Sequence, residues 1–247
     1  MAKDVRFGGI QRLYGETSTA HLAKAHVCVL GVGGVGSWVV EALARTGVGH
    51  LTLVDLDEVC ASNINRQLHA LTDTIGRSKI DVLRERAVAI NPQIEVDLIH
   101  DFFTAVTADA ILLRQYDVVV DCIDQFKNKV LLLDLCRKRK QRVVVVGGAG
   151  GRKDPNRVRI ADIAKSEGDV MLAMIRKRLR QKHGFPRTGN WGVNCVYSNE
   201  SPTLPDACAT ATRGLDCASG YGAAVFVTGT FGFMAASAVV EALLATK

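Results

Sequence analysis

The sequence predicts an α/β fold, a mostly parallel sheet with helices on both faces, followed by a C-terminal extension. Three observations carry that expectation. Short apolar runs alternate with segments of helical period from residue 26 to residue 147, a glycine-rich turn follows the first run, and turn-forming residues close several segments. The first pair is His26 to Val32 and Val35 to Thr46, and Gly47 stands where the C-terminal glycine of a helix belongs. Leu51 to Asp55 and Arg77 to Ile90 form the second pair, closed by Asn91-Pro92. Glu95 to His100, Val106 to Arg114, Asp117 to Ile123, Lys127 to Lys140 and Arg142 to Gly147 continue the series. Strand and helix in strict alternation give a parallel sheet buried on both sides.

After Gly147-Gly148-Ala149-Gly150-Gly151 the pattern changes, with one further strand, Val158 to Ile163, and a basic helix, Asp169 to Gln181. From Lys182 to Asp206 no period survives. With Gly184, Pro186, Gly189, Asn190, Pro202 and Pro205, this stretch reads as a functional loop or a partly disordered one, within an irregular segment of about 182–208. The expected division is therefore a core at 1–151 and an extension at 152–247 packed on the same domain. Ala223 to Val240 is uncharged, and about 18 helical residues span roughly 27 Å, slightly short of a bilayer core. Gly222, Gly229 and Gly232 lie in or beside it with Thr228, Thr230 and Ser237, and no basic cluster flanks its start. The segment therefore reads as a core or subunit-interface helix, and a membrane is not expected as a partner.

A chain of 247 residues that is 48% hydrophobic can bury a sizeable core, which excludes disorder on a global scale. The formal net charge of +6 favours an anionic partner, nucleic acid or nucleotide. Seven cysteines, at 28, 60, 122, 136, 195, 208 and 217, include no Cys-x-x-Cys pair. Neither a disulfide framework nor a thiolate zinc site is indicated, so no zinc is expected. The N-terminus, Met-Ala-Lys-Asp-Val-Arg, has no apolar signal core, and a reducing, cytoplasmic location is the expectation.

The first apolar run feeds Gly31-Val32-Gly33-Gly34-Val35-Gly36-Ser37 and then a helix. Glycines let the backbone approach phosphates, and the helix start aims free amides at them, so the unit is Rossmann-like and binds a nucleotide. Asp55 ends the second strand 19 residues after Gly36, where a carboxylate accepts hydrogen bonds from ribose hydroxyls. To this point NAD, FAD and ATP fit equally. Beyond Asp55 come Asp57, Asn63, Arg66, Gln67, Lys79 and Asp124. A hydride-transfer enzyme has no need to hold a triphosphate with Arg, Lys and a metal-binding Asp. Attack on an α-phosphorus does need such groups, because charge on the phosphate oxygens repels the nucleophile and pyrophosphate must be stabilised as it leaves. Arg66 and Lys79 supply that charge, and Asp124, at the carboxyl end of a strand, is placed as a Mg²⁺ ligand.

On these residues the chain resembles the superfamily of ubiquitin-activating and sulfur-carrier-activating adenylyltransferases over roughly its first 150 residues. The resemblance implies that Gly31, Gly33, Gly34 and Gly36 lie under ATP and that Asp55, with Asp57 beside it, contacts ribose. It implies that Asn63, Arg66, Gln67 and Lys79 surround the phosphates, and that Asp124 holds Mg²⁺. Three departures narrow the choice. The two Cys-x-x-Cys pairs of the zinc-binding members are missing, Gln125 stands where an asparagine usually follows the metal Asp, and Gly9 stands where an arginine reaches across the dimer. Arg12 or Arg6 would then have to serve in that role.

Arg6-Phe7-Gly8-Gly9, the Gly147 to Gly151 run and Leu215-Asp216-Cys217-Ala218-Ser219-Gly220-Tyr221-Gly222 extend the resemblance to nearly the whole length. They point to the branch that dehydrates threonylcarbamoyladenosine at position 37 of tRNA, beside the anticodon. That resemblance implies an ATP-dependent cyclisation through an acyl-adenylate, a homodimer, and partners in a sulfur relay built on a cysteine desulfurase. Two basic runs, Arg137 to Arg142 continuing to Arg152, Lys153, Arg157 and Arg159, and Arg176 to His183 continuing to Arg187, suit tRNA phosphates or a solvated helix face. Phe185, Trp191 and Tyr197 read as packing residues ahead of base-stacking ones. Cys217 is a candidate catalytic thiol, although a cysteine among small residues is more often inert and an intramolecular ring closure needs no covalent enzyme intermediate. The alternative within enzymes is adenylation of a carrier protein's C-terminal glycine; outside that chemistry stand a nicotinamide oxidoreductase and an ATP-binding scaffold.

Overall fold

The computed structural model describes residues 5–204 and 221–245. Two short helices, α1 (Gly8–Tyr14) and α2 (Glu16–Leu22), precede the first strand, β1 (His26–Leu30). Then follow α3 (Gly36–Thr46), β2 (His50–Val54), α4 (Lys79–Ile90), β3 (Glu95–Ile99), α5 (Ala108–Leu112), β4 (Val118–Asp121), α6 (Phe126–Arg139) and β5 (Val143–Val146). These are the predicted alternating elements, shortened by a few residues at their ends. Gly47 ends α3 with φ +84°, the left-handed conformation in which a side chain would be strained.

The strands lie in the order β3-β2-β1-β4-β5-β7-β6, where β6 is Val158–Asp162 and β7 is Asn194–Ser198. All neighbours are parallel except β6 and β7. The chain builds outward from β1 through β2 to β3 and then returns to the other side of β1 for β4. The order therefore reverses between β1 and β4, and the crevice beyond the carboxyl ends of these two strands is where open α/β sheets bind ligands. Register brings the ends level: Leu30 pairs with Val54 on one side and with Asp121 on the other.

Strand β7 corrects the sequence reading of 182–206 as irregular. Its apolar stretch, Cys195-Val196-Tyr197, is short and bounded by glycines, asparagines and prolines, so no period is visible along the chain. Its partners supply the structure: inserted between β5 and β6, it is buried along Cys195 to Ser198. The residues after 151 thus extend the same sheet. Helix α7 (Val170–Lys182) presents Leu172, Ile175 and Leu179 to the core and is started by Asp169, whose carboxylate accepts from the Leu172 amide at 2.9 Å.

Apolar side chains fill both faces of the sheet. One layer joins α3, α4 and α8 (Val225–Leu244) and contains Leu43, Leu53, Ile80, Phe231 and Val239; the other holds Leu30, Leu133, Leu172, Ile175 and Cys195. Helix α8 is long and apolar enough to cross a membrane by length and composition, but 61% of its most apolar stretch is buried against the protein. Glycines permit its contact with α3. A Cβ on Gly232 would lie 2.5 Å from Trp38 Cβ and 2.8 Å from the Val35 carbonyl oxygen, whereas one on Gly229 would meet the Trp38 ring at 3.8 Å.

Two alanine substitutions on one helix should therefore have opposite signs. Gly232→Ala forces α8 away from α3 and should lower stability by about 1–3 kcal/mol, while Gly229→Ala should leave it unchanged or raise it by up to about 1 kcal/mol. Urea unfolding midpoints measure both, and a Gly232→Ala protein as stable as Gly229→Ala would contradict this packing.

Candidate functional site

The glycine turn closes β1 onto α3. Gly31 has φ +80°, and its missing side chain admits the Cys122 carbonyl oxygen, which would stand 3.0 Å from a Cβ there; one on Gly36 would strike the Gly31 carbonyl oxygen at 1.9 Å. These two glycines make the turn. The other two leave room above it: positions where a Cβ would sit on Gly33 and Gly34 face Gln67 Nε2 at 3.7 Å and Arg66 Cγ at 3.4 Å. The amides of Gly33, Gly34 and Val35 donate to nothing among the described residues. Undonated amides at a helix start form a site for an anion.

Asp55 fixes that turn to the second strand. It is 7% exposed; one carboxylate oxygen accepts from the Val32 amide at 2.8 Å and the other from the Asp57 amide at 2.9 Å. Asp57 then takes Lys79 Nζ at 2.7 Å, and the Lys79 amide donates to the Asp57 carbonyl. Lys79 starts α4, so its cation is carried into the crevice on the first turn of a helix and is 5% exposed.

A tight turn around Ala61–Asn63 delivers the next three residues. The buried Asn63 accepts from the Cys60 amide through Oδ1 at 3.1 Å. Arg66 lies along Gly34 with its Nη1 donating to the Ser62 carbonyl and to Asn65 Oδ1, while the Trp38 indole holds the Arg66 carbonyl at 3.1 Å. Gln67 is buried with Oε1 unpartnered.

Beyond β4 the chain presents Asp124, exposed and without a hydrogen-bond or ion partner among the described residues. Its loop rests on a buried pair, Asp121 and Lys129, at 3.0 Å, in which Lys129 also donates to the Val146 carbonyl at 2.7 Å and Asp121 accepts from the Ile123 amide. Burial raises the Asp121 carboxyl above its ordinary range against the pull of the Lys129 cation. A free carboxylate beside a phosphate-binding turn fits Mg²⁺, which takes a few carboxylates together with phosphate oxygens.

The structure thus gathers Gly31, Gly33, Gly34, Gly36, Asp55, Asp57, Asn63, Arg66, Gln67, Lys79 and Asp124 around one crevice. Arg12 is not brought to it. Phe7, which precedes α1, packs on Gly47 at the end of α3 opposite the turn, and Arg12 is exposed. Cys217 lies outside the described residues. Of the basic residues expected on the surface, Arg152 is buried instead: it pairs with Asp169 and donates to the Gly148 carbonyl, shaping the loop after β5. Lys138 and Arg139 are taken up by Asp134 and Asp109. Phe185 and Tyr197 are core residues, and Trp191 packs on Phe185. Burial pushes the Cys122, Cys136 and Cys195 thiols up to about 12, so they are protonated and inert at neutral pH.

Sequence reasoning passed over His69. Its ring is 1% exposed, neither nitrogen has a partner, and burial followed by the Lys79 charge lowers its pKa from 6.5 to about 4. A single histidine between Leu68 and Ala70 carries no signal in the sequence; only the fold puts it beside Lys79. Thr228, read in the sequence only as part of an apolar helix, also belongs to the crevice wall, with its methyl facing Gly34 from α8.

The sequence model of the ThiF family matches residues 9–247. The chain belongs to the ThiF family. Among relatives, a tRNA threonylcarbamoyladenosine dehydratase from Haemophilus influenzae is 45% identical, covering 98% of this chain and 94% of the relative. A crystal structure of the Escherichia coli tRNA N6-threonylcarbamoyladenosine dehydratase in complex with ATP is similar at a TM-score of 0.89 and 41% identity, covering 99% of this chain and 97% of that one. A second structure of that enzyme, with AMP, has the same TM-score and 98% coverage of its chain. The ThiF match spans the described crevice and the extension alike.

The neutral His69 makes stability depend on pH in a definite direction. Its pKa is lower folded than unfolded, so between about 6.5 and about 4 the unfolded chain binds the proton and the folded chain does not. Stability falls as pH drops through that window, by about 2 kcal/mol from this residue at pH 5. His69→Leu should remove this dependence, so urea unfolding at pH 7 and pH 5 should differ less for the variant than for the natural protein. An unchanged difference would contradict the assignment.

Proposed function

We propose that the protein is an ATP-dependent tRNA threonylcarbamoyladenosine dehydratase that works through an acyl-adenylate. The observation that carries this reading is the set of three undonated amides at Gly33, Gly34 and Val35, flanked by Arg66 and Gln67, with the unpartnered carboxylate of Asp124 in the loop after the neighbouring strand β4. That arrangement suits a triphosphate with a metal, and the chain is similar along nearly all its length to proteins named for this reaction.

In the reaction, a carboxylate oxygen of the threonylcarbamoyl group attacks the α-phosphorus of ATP, forming an acyl–phosphate bond as the bond to pyrophosphate breaks. The glycine-turn amides, Arg66 and Lys79 hold the negative charge that accumulates on the phosphates and on the departing pyrophosphate. Asp124 is the residue that would hold Mg²⁺, which when bound neutralises phosphate charge. A nitrogen or oxygen of the same threonylcarbamoyl group then attacks the activated carbonyl; the bond to AMP breaks and a proton is released. The sum is loss of one water from the modified adenosine, with ATP converted to AMP and pyrophosphate. Attacker and carbonyl belong to one molecule, so ring closure gains effective molarity and needs no external nucleophile. Cys217 is the candidate for a covalent step, but the reaction balances without one.

The division into a core at 1–151 and an extension at 152–247, a homodimer, a cytoplasmic location and sulfur-relay partners complete the reading. Phe226 and Phe233, 57% and 51% exposed on α8, support a subunit contact. Across such a contact Arg12 or Arg6 is the residue that would serve the second subunit's crevice.

Incubation with ATP, Mg²⁺ and tRNA carrying threonylcarbamoyladenosine should yield AMP and pyrophosphate in equal amounts, with the nucleoside losing one water. Asp124→Ala should lower that turnover at least about a hundredfold while its circular dichroism melt stays unchanged. Pyrophosphate release driven by a carrier protein's C-terminus, and not by modified tRNA, would overturn the reading.

A further inference from the structure

From Val170 to Val193 the chain contains no Asp or Glu but six cations, Arg176, Lys177, Arg178, Arg180, Lys182 and Arg187. The fold sorts them. With Leu172, Ile175 and Leu179 turned inward, helical spacing places Ala173, Arg176, Lys177 and Arg180 along the outer side of α7. These residues, with Gln181 and Arg187, line an open cavity of about 440 Å³ with no carboxylate among the described residues of its wall.

Arg176 and Arg180 are held by neutral oxygens, Arg176 by the Ile163 carbonyl and Ser166 Oγ and Arg180 by the Pro186 carbonyl, so both are positioned and keep their charge. Burial first, then the neighbouring Arg180, lowers the Arg176 pKa from its ordinary value against the smaller opposing pull of Cys195 and Asp169. Lys177 and Arg187 are exposed and have no partner among the described residues.

The cavity does not stand alone. The Arg180 guanidinium lies 5.3 Å from the Trp191 ring centre, and Trp191 packs on Phe185, over which Arg137 sits at 4.5 Å. On that side a second cavity of about 340 Å³ is lined by Arg137, Lys140 and Arg142 together with both rings. Arg137 is again held only by carbonyls, those of His183 and Gly184. Three neighbouring carboxylates are occupied: Asp134 takes Lys138 and His183, Asp162 accepts from the Trp191 and Gly192 amides, and Asp169 takes Arg152.

Position relates this surface to the crevice. Asp169, at the start of α7, accepts from the Gly148 amide at the carboxyl end of β5, the strand beside β4 and hence beside Asp124. From that edge the 13 residues of α7 run away from the crevice. They cover about 20 Å, the rise of about six stacked nucleotides.

We infer that the outer side of α7, with Arg187 and the Trp191–Arg137 ledge, is the track that binds the sugar-phosphate backbone of the substrate RNA beside the modified nucleotide. The inference rests on the tRNA reading above. Fixed guanidinium groups in a row, none of them in an ion pair among the described residues, suit a repeating phosphate polyanion, and the exposed Lys177 and Arg187 add charge without shape. The occupant is the anticodon stem-loop flanking the nucleotide that enters the crevice.

The test is the full-length double variant Lys177→Ala/Arg187→Ala, compared with the natural protein and with the charge-keeping Lys177→Arg/Arg187→Lys. Binding of modified tRNA is measured across a salt series, together with tRNA turnover and ATP binding. The alanine variant should bind tRNA more weakly, and the slope of log affinity against log salt should fall by about 2, one for each cation removed. Its KM for tRNA should rise with kcat and ATP affinity unchanged, and the charge-keeping variant should restore the slope. Unchanged tRNA binding and slope would overturn the track, as would weakened binding of an acidic protein with tRNA parameters intact. Failure of the natural protein to turn over modified tRNA would instead sink the parent reading, so the two failures are distinct.

Discussion

One buried carboxylate organises the crevice. Asp55 accepts from the Val32 amide with one oxygen and from the Asp57 amide with the other, so it ties the glycine turn after β1 to the loop after β2. Both halves of the site depend on that tie. On one side the turn is held with its Gly33, Gly34 and Val35 amides undonated; on the other, Asp57 is presented to Lys79. Hydrogen bonds to an ionised acceptor are about twice as strong as neutral ones, and here two of them fix the relative position of two strand ends.

The rest of the site adds fixed charge to that geometry. Lys79 is 5% exposed and has Asp57 as its ion partner, while Arg66 spends its donors on a carbonyl and an amide oxygen. Positive charge is therefore fixed before any ligand arrives, which is the condition for stabilising developing negative charge without reorganisation. The buried Asp121–Lys129 pair serves a different purpose. A pair removed from water contributes little net stability, but Lys129 bridges the ends of β4 and β5 by bonding both Asp121 and Val146. It braces the loop that carries Asp124.

Much of this was legible in the sequence, and the omissions have physical causes. Strands β1 to β5 announced themselves because buried parallel strands are continuous apolar runs, and Gly31 to Gly36 because only glycine fits where Gly31 meets Cys122 and Gly36 meets Gly31. Strand β7 was missed because its identity comes from β5 and β6 on either side. The same holds for charge. Arg152 and Arg187 look alike along the chain, yet Asp169 takes the first into the interior and nothing among the described residues takes the second. His69 has no local signature at all, since its neutral state follows from burial beside Lys79. Arg12 shows the reverse: its motif position suggested a site that the fold of this chain does not bring near it.

In the proposed reaction a substrate carboxylate attacks the innermost phosphorus of a nucleotide held by these amides and cations. Isotope transfer reports on that attack. With modified tRNA whose threonylcarbamoyl carboxylate is labelled with ¹⁸O, one labelled oxygen should emerge in AMP, because that oxygen bridges carbonyl and phosphorus until ring closure breaks the carbon–oxygen bond. Label appearing in pyrophosphate or in water, with AMP unlabelled, would rule out carboxylate attack on the α-phosphorus.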